Sequence, residues 1–305
     1  MNIKKILLKI FDKKKYSKLK DEENIIKNKN LYDKKIKIKL NEINLSLQKK
    51  DEINFLHSGH LGDVINALPL IKEISKTKKC NYYIEANKRL PDHVVDRSHP
   101  FGEFYLNDKA INMMLPLLKE QKFINIAEKY SNQNIDVNLN IFRELPLNFN
   151  LDSVRWYFHL TGIHANLNES YVQVSPHNHI QNKIIITRSS RRKNYLINYK
   201  FLNKYKNILF LGLENEYLDL KKEIINLEFH NCKNFLEMAQ IIKSCRLLIG
   251  NLSLGFALAE AIKVPRLLES GPNFPLVYPN GGDGYDFYFQ DHFEKLFDRI
   301  YSKER

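Results

Sequence analysis

Short apolar runs that alternate with helix-period segments constrain this chain more than any other feature. Ile53, Phe55 and Leu56 lie in one such run at residues 53–57, Gly59 and Gly62 follow in a turn, and residues 64–74 then place Ile65, Leu68, Ile71 and Ile74 at helical spacing. Strand, turn and helix in that order make a β-loop-α unit. The pattern continues with strand-like runs at residues 82–86, 123–126 and 135–139 and a helical segment at 155–160. Further strands are predicted at 183–187, 207–212, 247–249 and 266–268, with helices at 235–245, 256–262 and 293–301. Strands alternating with helices predict an α/β protein whose parallel sheets are covered on both faces.

A polar stretch at residues 166–182, containing Pro176, separates two such halves and reads as an interdomain linker. The 305 residues suit two cores of ordinary size. We therefore expect an N-terminal extension over 1–50, a first parallel-sheet domain over 51–168, a second over 180–288 and a terminal helix over 289–305. Facing one another across a cleft, such domains bring the carboxyl ends of both sheets, where ligands bind, opposite each other.

Charge is unevenly spread. The net +13 comes from 48 Lys and Arg against 35 Asp and Glu, and residues 1–52 hold 16 lysines against 8 acids, more than half of the excess. A basic arm without an RNP-type motif, zinc knuckle or helix-turn-helix pattern does not make a nucleic-acid-binding protein. In the arm, Ile3, Ile6, Leu7, Ile10 and Phe11 share helical spacing against lysines. Residues 1–20 therefore suit an anionic membrane surface, or the helix docks on its own domain. No run approaches the roughly 18 apolar residues of a membrane span, and the N-terminus has no signal-peptide cleavage site. Cys80, Cys232 and Cys245 are odd in number and far apart, which predicts reduced thiols in a cytoplasmic protein.

Several residues are candidates for chemistry. Asp63, at a helix N-terminus, is either an ordinary cap or a carboxylate facing the cleft. Thr187, Arg188 and Ser189 follow the first strand of the second half, and hydroxyls with guanidinium groups there suit an oxyanion; the alternative is a basic surface loop. Glu260 and Glu269 are carboxylates able to accept from ribose hydroxyls, while Glu260 reads equally as a solvent-facing helix residue. Glu214 and Glu216 follow Gly212 and are placed to line the cleft, or simply occupy a first helical turn. Arg143 and Arg155 sit beside Phe142, Trp156 and Tyr157, a combination that suits a sugar and equally suits a core. The loop 278–285 either closes over a ligand or connects. His57, His60, His93 and His99 lack ligand spacing, so neither metal nor cofactor is expected.

Four segments in order resemble glycosyltransferase family 9, the lipopolysaccharide heptosyltransferases. Ser58-Gly59-His60-Leu61-Gly62-Asp63-Val64-Ile65-Asn66-Ala67-Leu68-Pro69 is similar to the family's opening Gly-Asp-Val and Leu-Pro; the others are residues 210–217, 234–251 and 257–265. The resemblance spans about residues 53–272. It implies a GT-B fold, two Rossmann-like domains with the acceptor on the first and the nucleotide sugar on the second. By matching position, Asp63 corresponds to the family's proposed base; in such a fold His60, Gly62, Arg143 and Arg155, chosen for their place and chemistry in the first half, fall on the acceptor side. Thr187, Arg188, Ser189, Gly212, Glu214, Asn251, Ser253, Gly255 and Glu260 fall on the donor side.

The sequence departs from the family at residues 250–257, where Leu252 stands at the place of an Asp and Ala257 at that of a His, although Ser253 and Gly255 keep a turn at a helix N-terminus suited to a diphosphate. The implied activity is inverting, metal-independent transfer from a nucleotide-sugar donor to a glycan or glycolipid acceptor at the cytoplasmic face. The alternatives are a GT-B nucleotide-sugar epimerase and a non-catalytic binding relative.

Overall fold

A computed structural model of the chain describes residues 3–92, 100–145, 152–271 and 277–303, with His93 and His99 outside them. The N-terminal arm is helical throughout: α1 (Ile3–Phe11), α2 (Lys13–Leu31) and α3 (Lys37–Lys49), the last two joined by a π-turn over Tyr32–Ile36. Asp12 caps α2 through the Lys15 N–H at 3.0 Å and lets α1 fold back, where Lys5 meets Glu23 at 2.6 Å. α2 buries nothing. The π-turn and α3 anchor the arm, because Ile36 of the turn and Ile43 of α3 enter the core and Lys39 pairs with Glu144 at 2.8 Å. The apolar stripe of α1 stays in solvent, with Ile10 62% and Phe11 80% exposed.

The first sheet has four parallel strands in the order β3-β2-β1-β4, namely β1 (Glu52–His57), β2 (Lys79–Ile84), β3 (Ile126–Lys129) and β4 (Val137–Asn138). Its helices are α4 (Leu61–Asn66), α5 (Leu68–Ile74), α6 (Asp108–Lys119) and α7 (Val154–Thr161). The strand expected at 123–126 begins at Ile126 instead. Phe123 and Ile124 belong to a turn closed by the Ile124 N–H on the Gln121 carbonyl, so they are apolar through packing from a turn.

The second sheet has six parallel strands in the order β10-β9-β8-β5-β6-β7. They are β5 (Ile184–Thr187), β6 (Ile208–Leu211), β7 (Glu228–His230), β8 (Leu247–Gly250), β9 (Arg266–Glu269) and β10 (Gly284–Phe287), with α8 (Glu214–Leu220), α9 (Phe235–Lys243), α10 (Leu254–Ile262) and α11 (Gln290–Tyr301). β5, β6, β8 and β9 are buried along their whole length, as strands covered on both faces must be.

α10 is apolar nearly all round and is buried from Gly255 to Ile262, the signature of a helix enclosed by protein. It packs against α4 of the first sheet, and α9 packs against α6, so one continuous core joins both halves. Residues 162–183 contain no helix or strand. Their backbone is tied along that junction, the N–H groups of Tyr171 and Val172 both reaching the Ala261 carbonyl at 2.9 and 3.2 Å.

Candidate active site

Each sheet has a point where the strand order reverses. In the first it lies between β1 and β4, in the second between β5 and β8. From β7 to β10 the second sheet reads 3-2-1-4-5-6, the order of a doubly wound dinucleotide-binding fold, and ligands of such sheets bind beyond the strand ends at the reversal. Asp63, Asn140 and Arg143 cluster at the first reversal, Thr187, Ser189, Asn251 and Ser253 at the second.

At the first reversal the turn after β1 is drawn tight. The Gly59 N–H donates to His57 Nδ1 at 2.8 Å and the Ser58 N–H to Asn140 Oδ1 at 3.0 Å. A side chain at Gly59 would strike Arg143 Nη2 and the His57 ring at 2.5 Å and Asp63 Oδ2 at 2.8 Å, so glycine is required by space alone. Asp63 stands in the first turn of α4, its Oδ2 accepting from the His60 N–H and from Arg143 Nη2, each at 3.2 Å. Arg143 also donates to Asn140 Oδ1 at 2.8 Å and lies 4.6 Å over the Tyr105 ring and 4.3 Å over the Phe142 ring. The Asp63 and Arg143 side chains are 20% and 24% exposed, open enough for a ligand to reach.

Behind this pair, His57 Nε2 is 2.8 Å from Tyr157 Oη, and that hydroxyl donates to the Asp63 carbonyl at 3.0 Å. Since Nδ1 already accepts from Gly59, the proton sits on Nε2 and the chain of donors runs His57 to Tyr157 to Asp63. Burial, reinforced by the nearby Arg143 charge, pulls His57 well below the ordinary imidazole range, so it is neutral. His60 is also lowered, first by burial, with Asp63 opposing and Arg143 and Arg191 adding to the effect. Arg191 belongs to the loop after β5, so the two halves meet electrostatically at this point.

At the second reversal, Asn251 clamps the loop after β5: its Nδ2 donates to the Ser189 carbonyl and its Oδ1 accepts from the Ser189 N–H, both at 2.8 Å. Ser253 caps α10 through the Phe256 N–H at 3.4 Å. Thr187 is wedged between Gly250 and Gly255, where an added methyl would come within 2.5 and 2.4 Å of its side chain, and its buried Oγ1 has no protein partner. Hydroxyls and amides at a helix N-terminus suit an anion.

Two expected ligands are turned inward. Arg188 is buried and grips Glu269 in a fork, Nε to Oε2 at 2.7 Å and Nη2 to Oε1 at 3.0 Å, with Tyr199 donating to the same carboxylate at 2.8 Å. Glu260 is neither solvent-facing nor open to ribose: it is buried against Arg266 at 2.5 Å and Lys263, and accepts from the Asn280 N–H at 3.2 Å. That last contact pins the 278–283 loop, and Asn280 Nδ2 reaches Asp152 of the first half at 3.2 Å. Glu214 and Gly212 are exposed at the start of α8, and Arg155 lies on the outer face of α7. Gly62 is half-buried with open space before its Cα. Glu216 Oε1, rather than Glu214, joins the site by accepting from the Ser190 N–H at 3.1 Å.

Sequence reasoning missed Tyr105, Asn140 and the relay function of Tyr157. Tyr157 was visible only as an aromatic at helical spacing, and Asn140 as one asparagine among many. It also assigned no metal ligands, whereas His230, Cys232 and Glu237 bring their ligand atoms within 4.8 Å of one another beyond β7.

The chain matches no family model and no curated protein sequence. Among solved structures, it resembles the E. coli heptosyltransferase WaaC with ADP, at 9% identity and a TM-score of 0.52, over 82% of this chain and 99% of that one. It also resembles the dodecameric iron-containing heptosyltransferase TibC in complex with ADP-D-beta-D-heptose, at 14% identity and a TM-score of 0.51, over 78% of this chain and 62% of that one. TibC is from enterotoxigenic E. coli H10407. The fold is thus the GT-B fold of the heptosyltransferases.

Proposed function

We propose that this chain, built on the heptosyltransferase GT-B fold, is a glycosyltransferase that moves a sugar from a nucleotide-sugar donor to a glycan or glycolipid acceptor. The observation that carries the proposal is the packing of α10 on α4, which sets the two strand-order reversals beside each other. A carboxylate then faces the acceptor side and a capped helix N-terminus faces the donor side.

In this reading Asp63 takes the proton of an acceptor hydroxyl as its oxygen attacks the anomeric carbon. The bond from that carbon to the diphosphate oxygen breaks on the opposite face, so the configuration inverts. Arg143 and the His60 N–H hold the Asp63 carboxylate in place, and Tyr157 holds the backbone beneath it. The departing diphosphate gathers charge where the Ser253-capped turn, Thr187 and the Asn251-shaped loop supply amides and hydroxyls. Those groups stabilise an anion without a cation, which supports a metal-independent step. Ala257, buried in the core, and Leu252, partly buried against it, leave the nucleotide site poorer in polar groups and favour, as a second reading, a relative that binds the donor without transferring from it. The ADP of the WaaC structure and the ADP-D-beta-D-heptose of the TibC structure make ADP-linked sugars the first to test.

The exposed apolar stripe of α1 beside its lysines supports work at the inner membrane face, where the acceptor would be a lipid-linked glycan. The experiment is release of nucleoside diphosphate from ADP-, UDP- and GDP-sugars in the presence of a lipid-linked oligosaccharide, with and without chelator. Acceptor-dependent release that survives chelation is expected; conversion of the nucleotide sugar to its epimer, without release of nucleoside diphosphate and without need of the acceptor, would point to an epimerase instead.

A further inference from the structure

β7 is the edge strand of the second sheet, two positions out from β5, about 10 Å away at the usual strand spacing. Its last residue is His230, the connection to α9 contains Cys232, and Glu237 lies in the first turn of α9. The ligand atoms of these three residues lie within 4.8 Å of one another. Imidazole, thiol and carboxylate thus converge on one point from a strand end, a loop and a helix.

Local bonds fix the ligand directions. Asn234 caps α9 by accepting from the Glu237 N–H at 3.0 Å, and Glu237 Oε2 accepts from the Lys233 N–H at 2.6 Å. Its Oε1 is left 3.1 Å from His230 Nε2. His177, from the segment joining the two halves, places Nε2 3.9 Å from the same Oε1. His177 Nδ1 accepts from the His179 and Ile180 N–H groups at 3.2 and 2.9 Å, so its proton sits on Nε2 and that nitrogen has no lone pair for a cation. His177 is thus a positioning residue that directs Glu237, and the ligand set is one nitrogen, one sulfur and one oxygen.

We propose that His230, Cys232 and Glu237 form a binding site for a divalent cation of borderline softness, Zn(II) above all. Three ligands of this mixture with the fourth position open to water match tetrahedral Zn(II), whose ligand atoms stand about 3.5 Å apart. To bind in this way the ligand atoms, within 4.8 Å of one another here, draw together to that spacing. Binding releases the Cys232 proton, while His230 offers the Nε2 lone pair with its ring proton on Nδ1 and Glu237 coordinates as the carboxylate, so a thiolate, a carboxylate and a neutral imidazole surround the metal. The cation would clamp the β7–α9 connection, distinct from the Asp63 reversal, and the assignment stands whether or not the chain transfers sugar.

The test is Co(II) titration of the full chain after dialysis against a chelator, followed by competition with Zn(II). One equivalent of Co(II) should give a thiolate-to-cobalt charge-transfer band that Zn(II) bleaches. The band should be lost in Cys232→Ser and kept in Cys80→Ser and Cys245→Ser. Glu237→Gln, which retains the Asn234 cap, should bind Zn(II) at least ~10-fold more weakly. No charge-transfer band in the wild type, a band that survives Cys232→Ser, or unchanged Zn(II) affinity in Glu237→Gln would each overturn the assignment.

Discussion

His57 Nε2 stands 2.8 Å from the hydroxyl of Tyr157, and through that hydroxyl a buried imidazole at the end of β1 is bonded to the backbone of Asp63. The relay ties the first strand, α7 and α4 together under one carboxylate. Tyr157→Phe strands the imidazole N–H in a dry interior and leaves the Asp63 carbonyl only its bond from the Ala67 N–H at 3.1 Å, so it should destabilise the protein by about 1–3 kcal/mol. Urea unfolding of wild type and variant reads this directly.

The same imidazole makes stability depend on pH. His57 titrates well below its ordinary 6.5 in the native state, first because it is buried. Its contribution is therefore complete above about pH 6.5 and is lost as pH falls, because the unfolded chain takes up a proton that the native state refuses. Between pH 6.5 and 5 the stability of the wild type should fall, with His57 supplying up to about 1.4 kcal/mol per pH unit. His60 is lowered too and adds to the slope in the same direction. His57→Asn should flatten the slope without abolishing it, as melting curves across this range would show.

Arg188 and Glu269 answer to stability. With both side chains buried and a two-point fork between them, Glu269→Gln leaves the guanidinium with only the partly exposed Glu223, 3.8 Å away, as counter-charge and should cost about 3 kcal/mol. Denaturant unfolding checks the magnitude. A change below 1 kcal/mol would mean that Arg188 turns outward.

α1 answers to membranes. Deleting residues 2–20 removes Leu7, Ile10 and Phe11, which are exposed, along with eight of the 16 lysines of residues 1–52. Co-sedimentation with anionic vesicles at low salt should drop, and 0.5 M salt should weaken it in the full chain, since exposed charges are screened within a few ångströms there. Equal sedimentation of both forms contradicts the proposed inner-face location.

Much of this architecture is legible in the amino-acid order because buried parallel strands and amphipathic helices write strong patterns. Residues 183–187, 207–212, 247–249 and 266–268 are apolar runs, and β5, β6, β8 and β9 lie on them within a residue or two at each end. β7 and β10 escaped because edge strands are short and polar: Glu-Phe-His and Gly-Tyr-Asp-Phe carry no continuous apolar run. α2 escaped for the opposite reason, having no buried face to impose a period. Asp63 and Asn251 were marked by their places after strands. The inward turn of Arg188 and Glu260 was not, because their partners Glu269 and Arg266 are brought to them by strand pairing and helix packing. Local sequence reports what a residue is; the partner that uses up its charge is a tertiary fact.

The central claim is that Asp63 removes the acceptor proton. Asp63→Asn keeps the side chain's size and its bond from the His60 N–H while removing the base, so the most direct measurement is transfer rate and donor affinity in wild type and Asp63→Asn side by side. Donor affinity should stay within about twofold, a change of under 0.5 kcal/mol, and the transfer rate should fall by about 10²–10⁴. A variant that binds donor and transfers as fast as the wild type would contradict the account.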